Sequence, residues 1–150
     1  MKMIDVGEKK KTERVAVARG KVSMSDATAG IVRRGESEKG DVLAAARLAG
    51  IMAAKRTPDL VPLCHPIALT GVDVLAEVRD GGVEIEATVR TRDRTGVEME
   101  ALAAVSAGCL TVYDMLKRYE RGMRIEAVEL LEKKGGRTGH WTRGKPARKR

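Results

Sequence analysis

Two runs of alternating apolar and polar residues flank the turn sequence Asp80-Gly81-Gly82. Every second residue from Val72 to Val78 is apolar, and so is every second residue from Val83 to Val89. Alternate side chains of a strand point to opposite faces, so this pattern predicts two strands. The Asp-Gly-Gly sequence favours a tight turn between them. The sequence therefore predicts an antiparallel hairpin with one buried face and one largely solvated face.

Further elements around this hairpin complete the order β-α-β-β-α-β, with one extra short helix. The predictions are a strand over 14–24, a short helix over 25–33, a helix over 41–55, a long helix from 95–98 to about 121 and a strand over 123–131. Three prolines in the segment 57–66 exclude a helix there. The order predicts a ferredoxin-like α+β fold, in which an antiparallel four-stranded sheet carries its helices on one face.

Two helix starts carry recognisable capping signals. Asp41 is the expected N-cap of the helix over 41–55. Thr95-Gly96-Val97-Glu98 has the spacing of a capping box, in which a Thr side chain and a Glu side chain bind each other's backbone N–H. The first interpretation of Glu98 is therefore that of a capping carboxylate.

The distribution of charge separates a neutral body from a basic tail. The 150 residues suffice for one domain, which we expect to span 1–143. Residues 1–132 hold 21 basic and 21 acidic side chains, so the net charge of +8 comes entirely from the residues that follow. The segment 144–150 is predicted to be a basic, disordered tail.

Composition argues against several other classes of protein. RNA-recognition modules of this topology read bases with aromatic side chains on their strands, and the predicted strands contain no aromatic residue. We expect no nucleic-acid partner. Neither a signal peptide nor an apolar run near 18 residues is evident, so we expect a cytoplasmic protein without a membrane span. Two Cys without CxxC spacing argue against a disulfide framework and a structural zinc site.

The segment Cys64-His65-Pro66 allows several interpretations. A Cys–His catalytic dyad is disfavoured because neighbours on an extended chain point to opposite sides. Joint metal ligation with Cys109 and His140 lacks the usual ligand spacing. His65 fixed in a proline-bracketed turn and a rigid wall of a ligand pocket remain open.

Three charged segments could carry chemistry. Lys39-Gly40-Asp41 precedes a helix, where it is either an anion site or a loop lysine before a capped helix. Asp114 and Lys117 lie three residues apart on one helix face, as a surface ion pair or as an acid/base pair. The glycine-rich segment 133–139 offers a phosphate cradle but lacks P-loop spacing.

Glu100 and Asp114 lie on the same predicted helix but far apart. Glu100 is either a solvated first-turn carboxylate or a ligand for an amino-rich heterocycle. At 1.5 Å per residue, the separation between the two acids is about 21 Å. A small ligand cannot touch both within one subunit, so a site that uses both needs a second chain.

Long strings of this sequence resemble one protein family. They are 39–43, 47–57, 63–66, 95–102, 111–117 and 130–136. Together they resemble the cyclic pyranopterin monophosphate synthase family (molybdenum cofactor biosynthesis protein C), over nearly the whole chain from Met3 to Trp141.

The resemblance implies a lyase of molybdenum cofactor biosynthesis. Its substrate would be 3′,8-cyclo-7,8-dihydroguanosine 5′-triphosphate and its products cyclic pyranopterin monophosphate and pyrophosphate. The reaction involves no redox change, so no cofactor would be required, although Mg²⁺ could accompany the triphosphate. The resemblance also implies a homohexamer, a trimer of dimers, with its sites at the dimer interfaces.

The same resemblance assigns roles to residues of this chain. It places the catalytic aspartate at Asp114 and the catalytic lysines at Lys39 and Lys117, with no metal ligand. The implied substrate-binding residues are Leu63, Cys64, His65, Met99, Glu100, Glu98 and Arg14. Gly7, Leu116 and Arg137-Thr138 depart from the family pattern, and Arg137 stands where Lys is common.

Two other function classes compete with this one. A phosphate- or nucleic-acid-binding module would use the basic tail, but the neutral body and the strands without aromatics speak against it. A non-catalytic oligomer of the same fold is disfavoured because every proposed catalytic position is intact.

Overall fold

The computed structural model describes residues 1–144, which form one antiparallel sheet of five strands with helices packed on one face. The elements are β1 (Thr12–Ser23), α1 (Asp26–Arg34), α2 (Val42–Lys55), α3 (Thr57–Leu60), β2 (Leu69–Arg79), β3 (Gly82–Asp93), α4 (Glu98–Leu116), β4 (Arg124–Lys134) and β5 (His140–Thr142). Apart from Gly144, the predicted tail lies outside the described residues.

The strand order is β2-β3-β1-β4-β5, and every neighbouring pair is antiparallel. The first four strands form the predicted ferredoxin-like sheet. The sheet has one strand more than the four predicted. This fifth strand, β5, pairs with the edge of β4 through Glu132 and Thr142. A strand of three residues after a glycine-rich segment is too short to show a period of two in the sequence.

The predicted hairpin is confirmed. β2 and β3 pair in register from Val72↔Val89 to Val78↔Val83 across the tight turn. The side chains of Val83, Ile85, Ala87 and Val89 are fully buried against the helices. Their burial fixes the register, since a shift by one residue would expose all of them.

The starts of the helices differ in how they are capped. Asp41 caps α2 as predicted, and its side chain accepts from the backbone N–H of Ala44 at 2.9 Å. The predicted capping box of α4 was wrong. The helix begins at Glu98, so its N-cap is Val97, and no side chain in the described part of the chain forms a capping hydrogen bond there. The Glu98 carboxylate pairs instead with Lys133 on β4.

The proline-rich segment contains a helix that the sequence analysis excluded. α3 is a single turn at Thr57–Leu60, with Pro58 in its first turn. Proline is tolerated there because the first N–H groups of a helix have no intrahelical partner. The Thr57 hydroxyl donates to the carbonyls at the end of α2, so α3 continues directly from that helix.

α4 is the central helix of the layer on the sheet, although it ends five residues before the predicted stop at Arg121. Within the described residues it is the one helix long and apolar enough to cross a membrane by composition, and half of that window is buried inside the protein. Its buried side chains pack on β1, β3 and α2. This burial is typical of the core helix of a globular domain.

Candidate active site

A cluster of three charged side chains lies at the C-terminal end of α4. The Lys39 Nζ donates to Asp114 Oδ2 at 2.7 Å, and Lys117 Nζ donates to Asp114 Oδ1 at 2.7 Å. Lys39 also donates to the Asp114 carbonyl at 3.2 Å. Each side chain is about half exposed, so the cluster faces solvent. The structure therefore brings together the three residues predicted as catalytic.

Local backbone geometry brings Lys39 to this cluster. Lys39 belongs to the loop over 35–41 between α1 and α2, 75 residues from Asp114. Within the loop, Gly40 adopts φ 98° and its N–H donates to the Ser37 carbonyl at 2.9 Å. Glycine suits this left-handed position because it has no Cβ. The turn directs Lys39 back toward the end of α4.

Contacts within the cluster shift the pKa values of Asp114 and Lys117. Hydrogen bonds from Lys117 and then Lys39 lower the pKa of Asp114 to about 2. The same contact with Asp114 raises the pKa of Lys117. At neutral pH the cluster therefore holds one carboxylate between two ammonium groups, with a net charge of +1. Such an arrangement can donate protons and stabilise an anion.

A buried acid lies at the opposite end of α4. The side chain of Glu100 is 2% exposed, so the solvated interpretation of this residue is excluded. Its Oε1 accepts from the Cys64 thiol at 3.6 Å, while Oε2 has no partner within the described residues. Burial raises the pKa of Glu100, and burial followed by the nearby carboxylate raises the pKa of Cys64 to about 11.

The remaining predicted contacts of this end surround Glu100 at the surface. Leu63 and Met99 are exposed, and His65 is half-buried beside Cys64. The Cys64 thiol lies 3.8 Å from the His65 carbonyl and 3.6 Å from Glu100 Oε1, so the structure brings Cys64 and Glu100 together. In residues 1–144, no group of three His, Cys, Asp or Glu side chains lies close enough to share a metal ion.

A basic cavity of about 580 Å³ opens beside the start of α4. Six cationic residues and two acidic residues line it. The cationic residues are Lys9, Lys10, Arg14, Arg94, Lys133 and Arg137, and the acidic residues are Glu8 and Glu98. The excess of positive charge favours an anionic ligand.

Arg14 is held in this cavity by its neighbours. Its Nε donates to Thr12 Oγ1 at 2.7 Å, and its Nη2 donates to the Arg94 carbonyl at 3.4 Å. Gly135 and Gly136 both have positive φ and lie against Arg14 so closely that a Cβ at either position would collide with it. The glycine pair therefore leaves room for the guanidinium.

Part of this cavity could not be predicted from the sequence. Arg94 carries no motif of its own, although it directly precedes the predicted capping box at 95–98. Lys133 was noted only within a glycine-rich segment, and its ion pair with Glu98 was not predicted. A strand-end lysine and a helix-start glutamate meet here because β4 lies beside α4, which requires the fold to be known.

The structure does not bring the two ends of α4 together. Glu98, Met99 and Glu100 start the helix, whereas Asp114 is near its end. The 14 residues from Glu100 to Asp114 span about 21 Å of helix. One subunit therefore presents two separate half-sites, the charged cluster at one end of α4 and the buried Glu100 with the basic cavity at the other.

Comparison with known proteins identifies the family. The model of the MoaC family matches residues 3–136. A protein of Thermomicrobium roseum named cyclic pyranopterin monophosphate synthase is 60% identical over 144 residues, which cover 95% of this chain and 87% of that protein. Proteins of the same name from Cereibacter sphaeroides and Novosphingobium aromaticivorans are 57% and 56% identical over 141 residues, which cover 93% of this chain and 89% of each protein. The chain therefore belongs to the MoaC family.

Proposed function

We propose that this protein converts 3′,8-cyclo-7,8-dihydroguanosine 5′-triphosphate into cyclic pyranopterin monophosphate and pyrophosphate, an early step of molybdenum cofactor biosynthesis. The observation that carries the proposal is the cluster of Lys39, Asp114 and Lys117, in which one ionised carboxylate holds two ammonium groups at 2.7 Å. The synthase name of the relatives from three bacteria supports the same reaction.

The charged cluster suits the departure of pyrophosphate. Closing the cyclic phosphate expels pyrophosphate, so negative charge develops on the leaving group and cations nearby stabilise it. Lys39 and Lys117 supply those cations and can also donate protons. Because the pKa of Asp114 is about 2, its carboxylate stays ionised at neutral pH and orients both lysines through hydrogen bonds of 2.7 Å.

The other half-site suits the remaining parts of the substrate. Arg14, Lys133 and Arg137 supply positive charge to the basic cavity, where they would bind phosphate oxygens. Among residues 1–144, a buried oxygen of Glu100 has no hydrogen-bond partner, and an amino group of a bound heterocycle would satisfy it. Cys64 and His65 would form the wall beside that heterocycle.

A complete site would combine the two half-sites across a dimer interface. The separation of about 21 Å along α4 prevents one substrate from contacting Asp114 and Glu100 of the same chain. Large apolar side chains exposed on α2, α3 and α4 support packing against another copy. They are Leu48, Met52, Leu60, Met99 and Leu110. We propose a homohexamer, a trimer of dimers, acting in the cytoplasm.

The decisive experiment follows pyrophosphate and pterin together from the purified cyclised substrate. The wild-type protein is expected to form both products. Lys117→Ala is expected to reduce both by about a hundredfold or more, the usual contribution of an acid/base group. Arg79→Ala, on the exposed end of β2 and paired with Glu77, is the control and keeps full activity.

Two outcomes would contradict the proposal. A folded wild-type protein that forms neither product is not a synthase, and one that releases pyrophosphate without pterin is a triphosphate hydrolase. Repeating the assay with and without Mg²⁺ tests the accompanying expectation that no cofactor is required.

A further inference from the structure

The turn that follows α4 makes direct contacts with the loop that carries Lys39. The Glu38 backbone N–H donates to the Tyr119 hydroxyl at 3.0 Å. The Arg118 guanidinium forms an ion pair with the Glu38 carboxylate. Both contacts are made to Glu38, the residue before Lys39. Both come from Arg118 and Tyr119, the two residues after Lys117.

The next residue of the same turn holds the other end of the α1 segment. The Glu120 carboxylate accepts from the Ser25 backbone N–H at 3.0 Å and from the Ser25 hydroxyl at 2.8 Å. Ser25 is the N-cap of α1. Residues 118–120 thus bind both ends of the segment 25–38, and this arrangement fixes the loop relative to α4.

Lys39 needs such support because its own side chain is a weak anchor. Lysine has a long flexible side chain that loses rotamer freedom when it is held in one position. Here the ammonium is half exposed, so solvent competes for its bonds to Asp114. Fixing the backbone one residue away reduces the number of conformations in which Lys39 misses Asp114.

We infer that Tyr119 and Arg118 are positioning residues for Lys39, which they place on Asp114 by holding Glu38. The inference rests on the proposed function for its effect on catalysis. The attachment of the loop can be tested without any catalytic assay.

The sharpest variant is Tyr119→Phe, which removes the hydroxyl and keeps the ring. We expect hydrogen exchange at the Glu38 amide to accelerate about two- to tenfold, the equivalent of one modest hydrogen bond. The Tyr113→Phe variant is a matched control, because it deletes the other tyrosine hydroxyl bond, which goes to the Arg121 carbonyl at 2.9 Å. Exchange at Glu38 is expected to stay unchanged in that control.

The catalytic readout separates positioning from folding. In Tyr119→Phe, kcat and kcat/KM are expected to fall together by about two- to tenfold, as for a contact needed in the transition state. Arg118→Ala should act in the same direction, and Arg118→Lys should restore most of the loss because it keeps the charge facing Glu38. Glu36→Gln, which breaks the exposed pair with Arg34 in the same loop, should leave both constants unchanged.

A third measurement remains decisive even if the chain proves not to be a synthase. Carboxyl NMR should give Asp114 a pKa of about 2 in the wild-type protein. In Tyr119→Phe that pKa is expected to rise as Lys39 withdraws, while the bond from Lys117 continues to hold it below its ordinary value. Unchanged exchange at Glu38, an unchanged Asp114 pKa, or faster exchange with normal kcat in an active enzyme would each overturn the inference. Absence of synthase activity in the wild-type protein would overturn only the proposed function.

Discussion

Glu100 is a carboxylic acid enclosed almost completely by protein at the start of the central helix. One oxygen contacts the Cys64 thiol at 3.6 Å and the other has no partner within the described residues. Ionising such a group inside the protein is costly, which is why burial raises its pKa. An amino group of a ligand would donate a hydrogen bond to the unpartnered oxygen and remove this free-energy cost. The burial of Glu100 therefore supports its proposed role in binding.

The sign of the pH effect follows from this raised pKa. The unfolded chain releases the Glu100 proton above the ordinary pKa of 4.5, while the folded protein retains it to higher pH. The folded state then binds more protons, so the free energy of unfolding falls as pH rises above 4.5 until the folded group also ionises. Glu100→Gln removes this dependence.

We therefore expect Glu100→Gln to gain stability relative to the wild-type protein on going from pH 4 to pH 8. The difference in free energy of unfolding between the variant and the wild-type protein is expected to change by about 1–3 kcal/mol between the two pH values. This is the range for a buried polar group without a partner. Urea unfolding at both pH values measures it. Glu77→Gln, at an exposed pair on β2, should show no such change. An equal difference at both pH values for Glu100→Gln would show that its carboxyl ionises normally.

At the scale of elements, α2 and α4 approach each other through small residues. A Cβ at Gly50 of α2 would lie 3.1 Å from the Ala104 carbonyl of α4 and from the Val74 side chain of β2. On α4, a Cβ at Gly108 would lie 3.1 Å from Ile85 Cγ2. These contacts are tight, so the two helices and the sheet interlock with little room for added atoms.

Gly50→Val is accordingly expected to destabilise the fold by about 1–3 kcal/mol, since overpacking forces neighbours to shift. The measurement is the midpoint of urea unfolding at constant m-value. Helix propensity cannot account for such a loss, because valine is a better helix former than glycine. Arg47→Val places the same β-branched residue on the exposed side of α2 and shows what it costs away from the helix contact. If both variants lose equal stability, the close approach of the helices is not the cause.

Elements with a strong period could be predicted from the sequence, and contacts between distant segments could not. The hairpin at Asp80-Gly81-Gly82 and the Asp41 cap follow from local patterns that the structure confirms. The capping box at Thr95 failed because the N-cap is Val97, two residues later, and the Glu98 carboxylate pairs with Lys133 of β4. Local spacing alone does not reveal that competing partner.

In the site, too, contacts between residues close in the sequence could be predicted, and contacts between distant residues could not. The spacing of Asp114 and Lys117 indicates an ion pair, but Lys39 joins them from 75 residues away. Only the resemblance to a family suggested that third member. The burial of Glu100 was left open by the sequence, because the thiol beside it comes from 36 residues earlier in the chain. The catalytic roles of these residues stay predictions until the variants are assayed.

At the scale of the whole molecule, the two half-sites of one chain are expected to serve different active sites. Asp114→Ala and Glu100→Gln would each inactivate a symmetric dimer. In a mixed dimer, one site contains both altered residues. The other site is intact, because it combines Asp114 of the Glu100→Gln chain with Glu100 of the Asp114→Ala chain. The mixture is expected to recover about a quarter of wild-type activity.

Co-expression of the two variants and assay of the purified mixture measures this recovery. Asp114→Ala mixed with Lys117→Ala is the matched control, since both changes affect the same end of α4 and no intact site can form. Recovery in neither mixture would place the complete site within one chain. Equal recovery in both would point to contamination or to independent roles of the residues.

The length of α4 has a consequence for how such proteins can diverge. Because both half-sites lie on one continuous helix of 19 residues, their separation and relative rotation are fixed together. Adding a single residue between Glu100 and Asp114 would turn one end by about 100° and shift it by about 1.5 Å relative to the other. In each of the two active sites to which the chain contributes, its half-site would then no longer align with the half-site of the other chain. Insertions and deletions among functional relatives should therefore accumulate in turns such as 80–82, while the number of residues between these two acids stays constant.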